Sequence, residues 1–170
     1  MFLNYIKEFF VKKSLKNHLH NVKNEVFTSN VQTIGLLVDE SKFRQSKALI
    51  KELIEFGIAP ENIKIVAYRD KFKDKKEYSK PTFGKKHISW KGDIAGDFII
   101  EFIETEFDLL ISYYNVEKVI LMMMTSRSKA KFKVGFSVVD KSLNRWMIDT
   151  DLENYKLFIF ELFKYLKNIK

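Results

Sequence analysis

The spacing of hydrophobic positions changes several times along this chain, and each change marks an element. Phe2, Ile6, Phe9, Phe10, Leu15, Leu19 and Val22 recur at helical spacing, which predicts an amphipathic helix. Lys7, Lys12, Lys13, Lys16 and Lys23 fall on its other face. Residues 1–24 are therefore expected to form a basic helix packed on the domain built by residues 31–170. Residues 24–30 lack periodicity and read as a linker.

Val31–Val38 is nearly all apolar and rich in β-branched residues, the pattern of a strand buried on both faces. A helix is expected from about Lys42, with Phe43, Ala48, Leu49, Leu53, Ile54 and Phe56 on its buried side. Gly57, Ile58 and Pro60 end it, and Ile63–Tyr68 is the next strand. Strand, helix and strand make a βαβ unit with a right-handed crossover. Arg69–Gly92 then turns Lys-rich, with a short strand expected at His87–Trp90. After it come a helix over Ile94–Glu104, a strand over Phe107–Tyr113, a helix over Val116–Ser126 and a strand over Lys131–Ser137. An edge strand at Asn144–Ile148 and a last helix at Leu152–Leu166 complete the series. Such alternation predicts an α/β fold: a single-domain, Rossmann-like three-layer sandwich with a mainly parallel sheet of five or six strands. Val31–Val38 should be central, with strand order 3-2-1-4-5.

At 170 residues the chain suits one domain. The absence of cysteine excludes disulfides, thiolate metal sites and cysteine nucleophiles, and fits a reducing compartment such as the cytoplasm. A charge interrupts the N-terminal apolar residues before they reach signal-peptide or membrane-span length, and Val119–Met124, the longest apolar run, is far too short to cross a bilayer.

Charge changes the picture more than composition does. The net charge is +8, but residues 1–24, 64–91 and 127–145 carry net +4, +7 and +5. Segregation of this kind attracts polyanions. Lys71, Lys73, Lys75, Lys76, Lys85, Lys86, Arg127, Lys129, Lys131 and Lys133 are the candidate contacts. Phe72, Tyr78, Phe83, Trp90 and Phe132 are interleaved with these segments, and exposed aromatic rings among them can stack on bases.

Catalytic and metal signatures are weak. Asp149-Thr150-Asp151 has DxD spacing, but Thr150 and Glu153 also form a capping box ahead of the last helix, and the box is the preferred reading. Asp39 and Glu40 end the central strand, where open α/β sheets bind ligands. Helix capping is the competing role for them. No glycine spacing makes a phosphate loop or dinucleotide fingerprint. His18, His20 and His87 form no ligand pair at helical spacing, and no GxSxG nucleophile signature occurs. Met122, Met123 and Met124 read as core. No catalytic residue, metal or cofactor is assigned.

Ile34–Asp39, Asn62–Tyr68, Phe107–Tyr114, Ala130–Phe136 and Met147–Asn154 resemble the matching stretches of an uncharacterised family of small bacterial α/β proteins, a domain of unknown function. The resemblance spans nearly the whole chain and implies the fold without an activity. Asp108 with Leu109–Ser112, followed by Ser128–Phe136, is similar to the first Rossmann half of heptosyltransferase-type glycosyltransferases. Those enzymes need a second domain for the donor sugar nucleotide, so a complete transferase is not expected.

The leading expectation is thus a non-enzymatic domain that binds a polyanion such as RNA or the ribosome. The alternative is a small-molecule or nucleotide-binding protein, with an enzymatic role open, using a strand-end crevice at Asp39, Glu40, Tyr113 and Asn115. A third option rests the basic N-terminal helix on an anionic membrane surface.

Overall fold

Every residue of β1 (Ile34–Asp39) is buried, because this apolar run has a parallel neighbour on each side and helices on both faces. The computed structural model describes residues 30–169, and the helix expected over residues 1–24 lies outside them. β1 pairs in parallel with β2 (Ile63–Tyr68), in the register Ile34 to Ile63. On its other side it pairs in parallel with β4 (Leu109–Tyr113), Ile34 facing Leu109. β3 (Thr82–Phe83), β5 (Phe132–Phe136) and β6 (Trp146–Ile148) extend the sheet, again in parallel. The result is a six-stranded sheet of order β3-β2-β1-β4-β5-β6, a Rossmann-like α/β arrangement with the expected central strand.

Helix α1 (Ser46–Glu55) links β1 to β2, and α3 (Val119–Arg127) links β4 to β5. The two crossovers leave the β1–β4 pair in opposite directions, so right-handed connections place them on opposite faces. α4 (Tyr155–Asn168) packs beside α1, and α2 (Asp97–Glu104) beside α3. Phe56, just after α1, stacks on Phe163 of α4 at 4.8 Å. At the other end of this layer Gln45 Nε2 donates to Glu153 Oε2 at 2.8 Å. The two helices therefore run side by side in the same direction.

The predicted stop of α1 is realised in full. Gly57 has φ +98°, a conformation that costs glycine little and other residues more. Its N–H bonds to Ile54 O at 2.9 Å and that of Ile58 bonds to Leu53 O at 3.2 Å, closing a Schellman turn.

Four local expectations are corrected. The short third strand is Thr82–Phe83 rather than His87–Trp90, fixed by Ala67 N to Pro81 O and Arg69 N to Phe83 O, both 2.9 Å. Residues 85–87 instead form a 3₁₀ turn, and Ile88 makes a lone antiparallel bridge to Ile94. α2 begins at Asp97, because Gly96 at φ +115° stands just before it. Two residues expected on the buried side of α1 are placed otherwise: Phe43 precedes the helix in a turn closed onto Asp39 O, with its ring 4.7 Å from that of Tyr113, and Ile54 is exposed in its last turn, facing away from the sheet side that Leu49 and Leu53 cover. The Thr150–Glu153 capping box does not form: α4 starts after Asn154 with no side-chain cap, and Glu153 is held by Gln45. Among the described residues no helix is long and apolar enough to cross a membrane.

Candidate functional site

In a parallel sheet every strand ends at the same edge, so topology alone sorts the basic segments. β3 pairs beside the last residues of β2, Ala67 facing Thr82. The intervening segment therefore leaves and re-enters at the carboxyl edge, with no helix to carry it away. Lys71, Lys73, Lys75 and Lys76 stand on that loop, and Lys85 and Lys86 follow β3 directly; all six are exposed. Lys129 and Lys131 lie just before β5 and so belong to the amino edge, and Arg127 ends α3 on that side. The two groups of candidate cations occupy opposite edges of the sheet.

The amino-edge group is tied into the fold. Lys129 pairs with Glu104, and Arg127 donates to Gly92 O at 3.1 Å. Lys131 Nζ lies 2.8 Å from Asp108 Oδ1. Lys133 Nζ donates to Ser126 O at 3.1 Å, and burial pushes its ammonium down to about 8. Asp108 also accepts from the N–H groups of Gln32 and Thr33 and from the Thr33 hydroxyl. Its partial burial would raise the carboxyl, but Lys131 and these donors outweigh it and hold it at about 2.

Two ionic clusters, each built on a buried carboxylate, Asp39 or Glu40, lie at the carboxyl edge. In one, Lys118 Nζ is 2.7 Å from Asp39 Oδ2 and 2.8 Å from Asp70 Oδ2, while Tyr68 Oη donates to Asp70 Oδ1 at 2.9 Å. Burial again acts to raise Asp70, and Lys118 and Tyr68 bring it below its ordinary value. In the other, Glu40 Oε1 accepts from the Ser46 hydroxyl at 2.6 Å and from Lys80, and Oε2 accepts from Arg69 Nη2 at 2.8 Å. Desolvation of Glu40 is overcome by those three partners, so its carboxyl sits below the usual range. Three carboxylates thus meet three cations, which satisfies the requirement that buried charge be paired. Asp39 and Glu40 do not cap α1, which has no side-chain cap.

Ser46 Oγ accepts from Lys80 Nζ at 2.6 Å, a spacing also found in serine–lysine nucleophiles. The chemistry does not follow here. Ser46 is 1% exposed and gives its proton to Glu40, so an incoming acyl group has no path to Oγ.

The crevice expected between β1 and β4 is built differently from its sequence outline. Tyr113 is fully buried, donates its hydroxyl to Leu152 O at 2.7 Å, and packs against Phe43, Phe136 and Phe158. It is a core residue. Asn115 is exposed on the turn after β4, and Asp39 and Glu40 are taken up by the ion pairs. Asp149, from the DxD sequence, accepts from Ser137 Oγ at 3.0 Å, and no group of three metal-ligating side chains occurs among the described residues.

Open space lies on the β2–β3 side instead. A cavity of about 200 Å³ is lined by Glu40, Arg69, Lys76, Tyr78, Lys80 and Thr82, among others. Over it the loop is stiffened by Phe72 stacked on Tyr78, with centroids 5.5 Å apart and planes 17° apart. Arg69 and Lys76 approach the Tyr78 ring at 5.5 and 5.6 Å, and Lys86 the Phe72 ring at 5.1 Å. Lys73 N donates to Tyr78 Oη at 3.0 Å. Lys86 pairs with Asp74. Lys71, Lys73, Lys75 and Lys76 have no carboxylate partner among the described residues.

Sequence reasoning missed Arg69, Asp70, Lys80, Ser46 and Lys118 as members of this edge. The first two directly follow a strand and could have been found by that position; Lys80 and Lys118 carry no local signal.

One family model matches residues 7–169. The chain belongs to DUF6913, a family of unknown function. No curated protein and no solved structure matches it. Membership in DUF6913 fits the full-length resemblance seen in the sequence and carries no activity, so the site itself has to supply the functional argument.

Proposed function

We propose that this DUF6913 protein is a non-enzymatic binding domain for a polyanion, RNA alone or within a ribosomal particle, and that it binds through the carboxyl-edge segment of residues 69–91. The observation that carries the proposal is the state of the lysines on that segment. Lys71, Lys73, Lys75 and Lys76 are exposed without carboxylate partners among the described residues, while the amino-edge cations are engaged by Asp108, Glu104 and main-chain oxygens. Unpaired lysines repel one another, and phosphates relieve that repulsion while releasing condensed counterions.

The anchoring supports the same reading. Arg69 and Lys80, at the two ends of the loop, both grip Glu40, and the Phe72–Tyr78 stack holds its middle. A rigid cationic loop loses less conformational freedom on binding than a free one. Trp90, 58% exposed with Lys91 Nζ 5.2 Å from its ring, offers a further stacking surface.

The test is binding of a labelled single-stranded RNA across a salt series from about 50 to about 200 mM. Affinity should fall steeply along the series. An absence of binding at the lowest salt would end the proposal.

A further inference from the structure

The cavity under the loop has a chemistry of its own. We infer that it seats a phosphomonoester, held between Arg69, Lys76 and Lys80 beside the Tyr78 hydroxyl. This deepens the polyanion proposal and rests on it for the source of the ligand, the terminal phosphate of a nucleic acid. A small phosphorylated metabolite would present the same chemistry.

Several donors around the cavity are not fully used. Glu40, on the cavity wall, is engaged at both oxygens, by Ser46 and Lys80 at Oε1 and by Arg69 at Oε2. Lys80 has three N–H bonds and spends them on Glu40 and Ser46, leaving one over. Arg69 gives Nη2 to Glu40, and its buried Nε has no hydrogen-bond partner among the described residues. Tyr78 Oη accepts from Lys73 N and keeps its own proton to donate. Lys76 is exposed at the rim and, among the described residues, approaches the Tyr78 ring without a carboxylate partner. Glu77 is also exposed on the lining, which sets three cations against two carboxylates, one of them already paired. The surplus is one positive charge, and the wall is rich in donors.

Size selects the group. About 200 Å³ is below the roughly 300 to 1,000 Å³ of pockets that enclose whole drug-sized ligands, so the cavity does not enclose a complete nucleotide. A phosphate head fits. A terminal phosphate offers three acceptor oxygens to the spare donors of Arg69, Lys80 and Tyr78, where an internal diester offers two.

The experiment compares three oligoribonucleotides of one sequence, bearing a 5′-phosphate, a 3′-phosphate or no terminal phosphate, by fluorescence anisotropy with the full chain. One phosphorylated form should bind roughly tenfold tighter than the unphosphorylated one, the range of one added charge-assisted hydrogen bond. Ser79→Glu, at an exposed position on the cavity lining, should remove that preference. Lys73→Glu, away from the lining, should weaken all three oligonucleotides alike. Melting curves of both variants establish that they fold. If all three oligonucleotides bind equally and Ser79→Glu changes nothing specific to the end, the cavity inference is overturned and the polyanion proposal survives. If none binds, the polyanion proposal fails, and a titration with a nucleoside monophosphate, inorganic phosphate and the bare nucleoside decides the cavity. Binding of the two phosphates by wild type and not by Ser79→Glu supports it, with a metabolite as the source; no phosphate binding overturns it as well.

Discussion

Lys118 Nζ lies 2.7 Å from Asp39 Oδ2, joining the residue just before α3 to the end of the central strand. Asp39 is 1% exposed, so this carboxylate depends on its ammonium partner. Lys118→Met should cost about 3 kcal/mol or more, because it strands a buried charge. Combining it with Asp39→Asn should recover part of that loss, since the stranded charge is then gone. Urea titrations of the two single variants and the double variant test this. Equal losses in Lys118→Met and in the double variant would show that the pairing is not what matters.

Asp108 offers a pH signature at the opposite edge. Its folded carboxyl sits at about 2 against an ordinary 3.8, a depressed value, so its contribution is present above about pH 4 and lost as pH falls toward 2. Wild type should lose about 1 kcal/mol more than Asp108→Asn over that interval, after allowing for the solvent that reaches the Lys131 side. Glu40 and Asp70 are also lowered but titrate alike in both proteins. Parallel stability–pH curves for the two proteins between pH 5 and pH 2 would refute the assignment.

Gly35 owes its place in β1 to packing. A methyl built on it would stand 2.6 Å from Phe107 Cδ2, and Phe107 is 2% exposed, with little room to retreat. Gly35→Ala is expected to destabilise by about 2 kcal/mol through overpacking. Phe107→Leu in the same chain should relieve the clash, so the double variant should be less destabilised than the two single losses added together. Thermal melts or urea titrations of all three variants provide the check.

What the sequence revealed and what it hid divide along physical lines. Ile34–Asp39 was legible because a strand buried on both faces must be apolar throughout, and the end of α1 because Gly57 supplies the conformation that its turn requires. Thr82–Phe83 was not legible. Two residues have no period, and they are a strand only because the end of β2 lies beside them. The capping box was misread because Glu153 finds Gln45 from a distant part of the chain, a competition that local sequence does not show. At the site, Asp39 and Glu40 stood out as carboxylates at a strand end, but their partners Arg69, Lys80 and Lys118 come from other loops. Tyr113, proposed for a crevice, is core because its hydroxyl is satisfied inside by Leu152 O. The basic segments were plain in the sequence; their separation to two edges follows only from the order and direction of the strands.

That separation makes a charge-reversal experiment specific. Replacing Lys73, Lys75, Lys76, Lys85 and Lys86 by Glu removes exposed cations from the carboxyl edge and leaves the Glu40 and Asp39 clusters intact. RNA affinity should fall, and the dependence of log affinity on log salt should flatten by about 0.7 for each phosphate of a single strand that is no longer neutralised. Stability should move by less than about 0.5 kcal/mol each at Lys73, Lys75 and Lys85, as exposed charges away from packed groups usually do, and by up to about 1 kcal/mol each at Lys76 and Lys86, whose ammonium groups lie against the Tyr78 and Phe72 rings. Among the described residues only Lys86 of these five gives up a carboxylate partner, Asp74, and exposed pairs contribute little. Glu at Lys129 and Lys131 is the matching control at the amino edge. It should leave the salt slope unchanged but lower stability, because the part-buried Asp108 would then face new negative charge at Lys131. A melting curve and a salt series on each variant read both effects together. If the amino-edge variant flattens the slope and the loop variant does not, the interface lies on the other edge of the sheet.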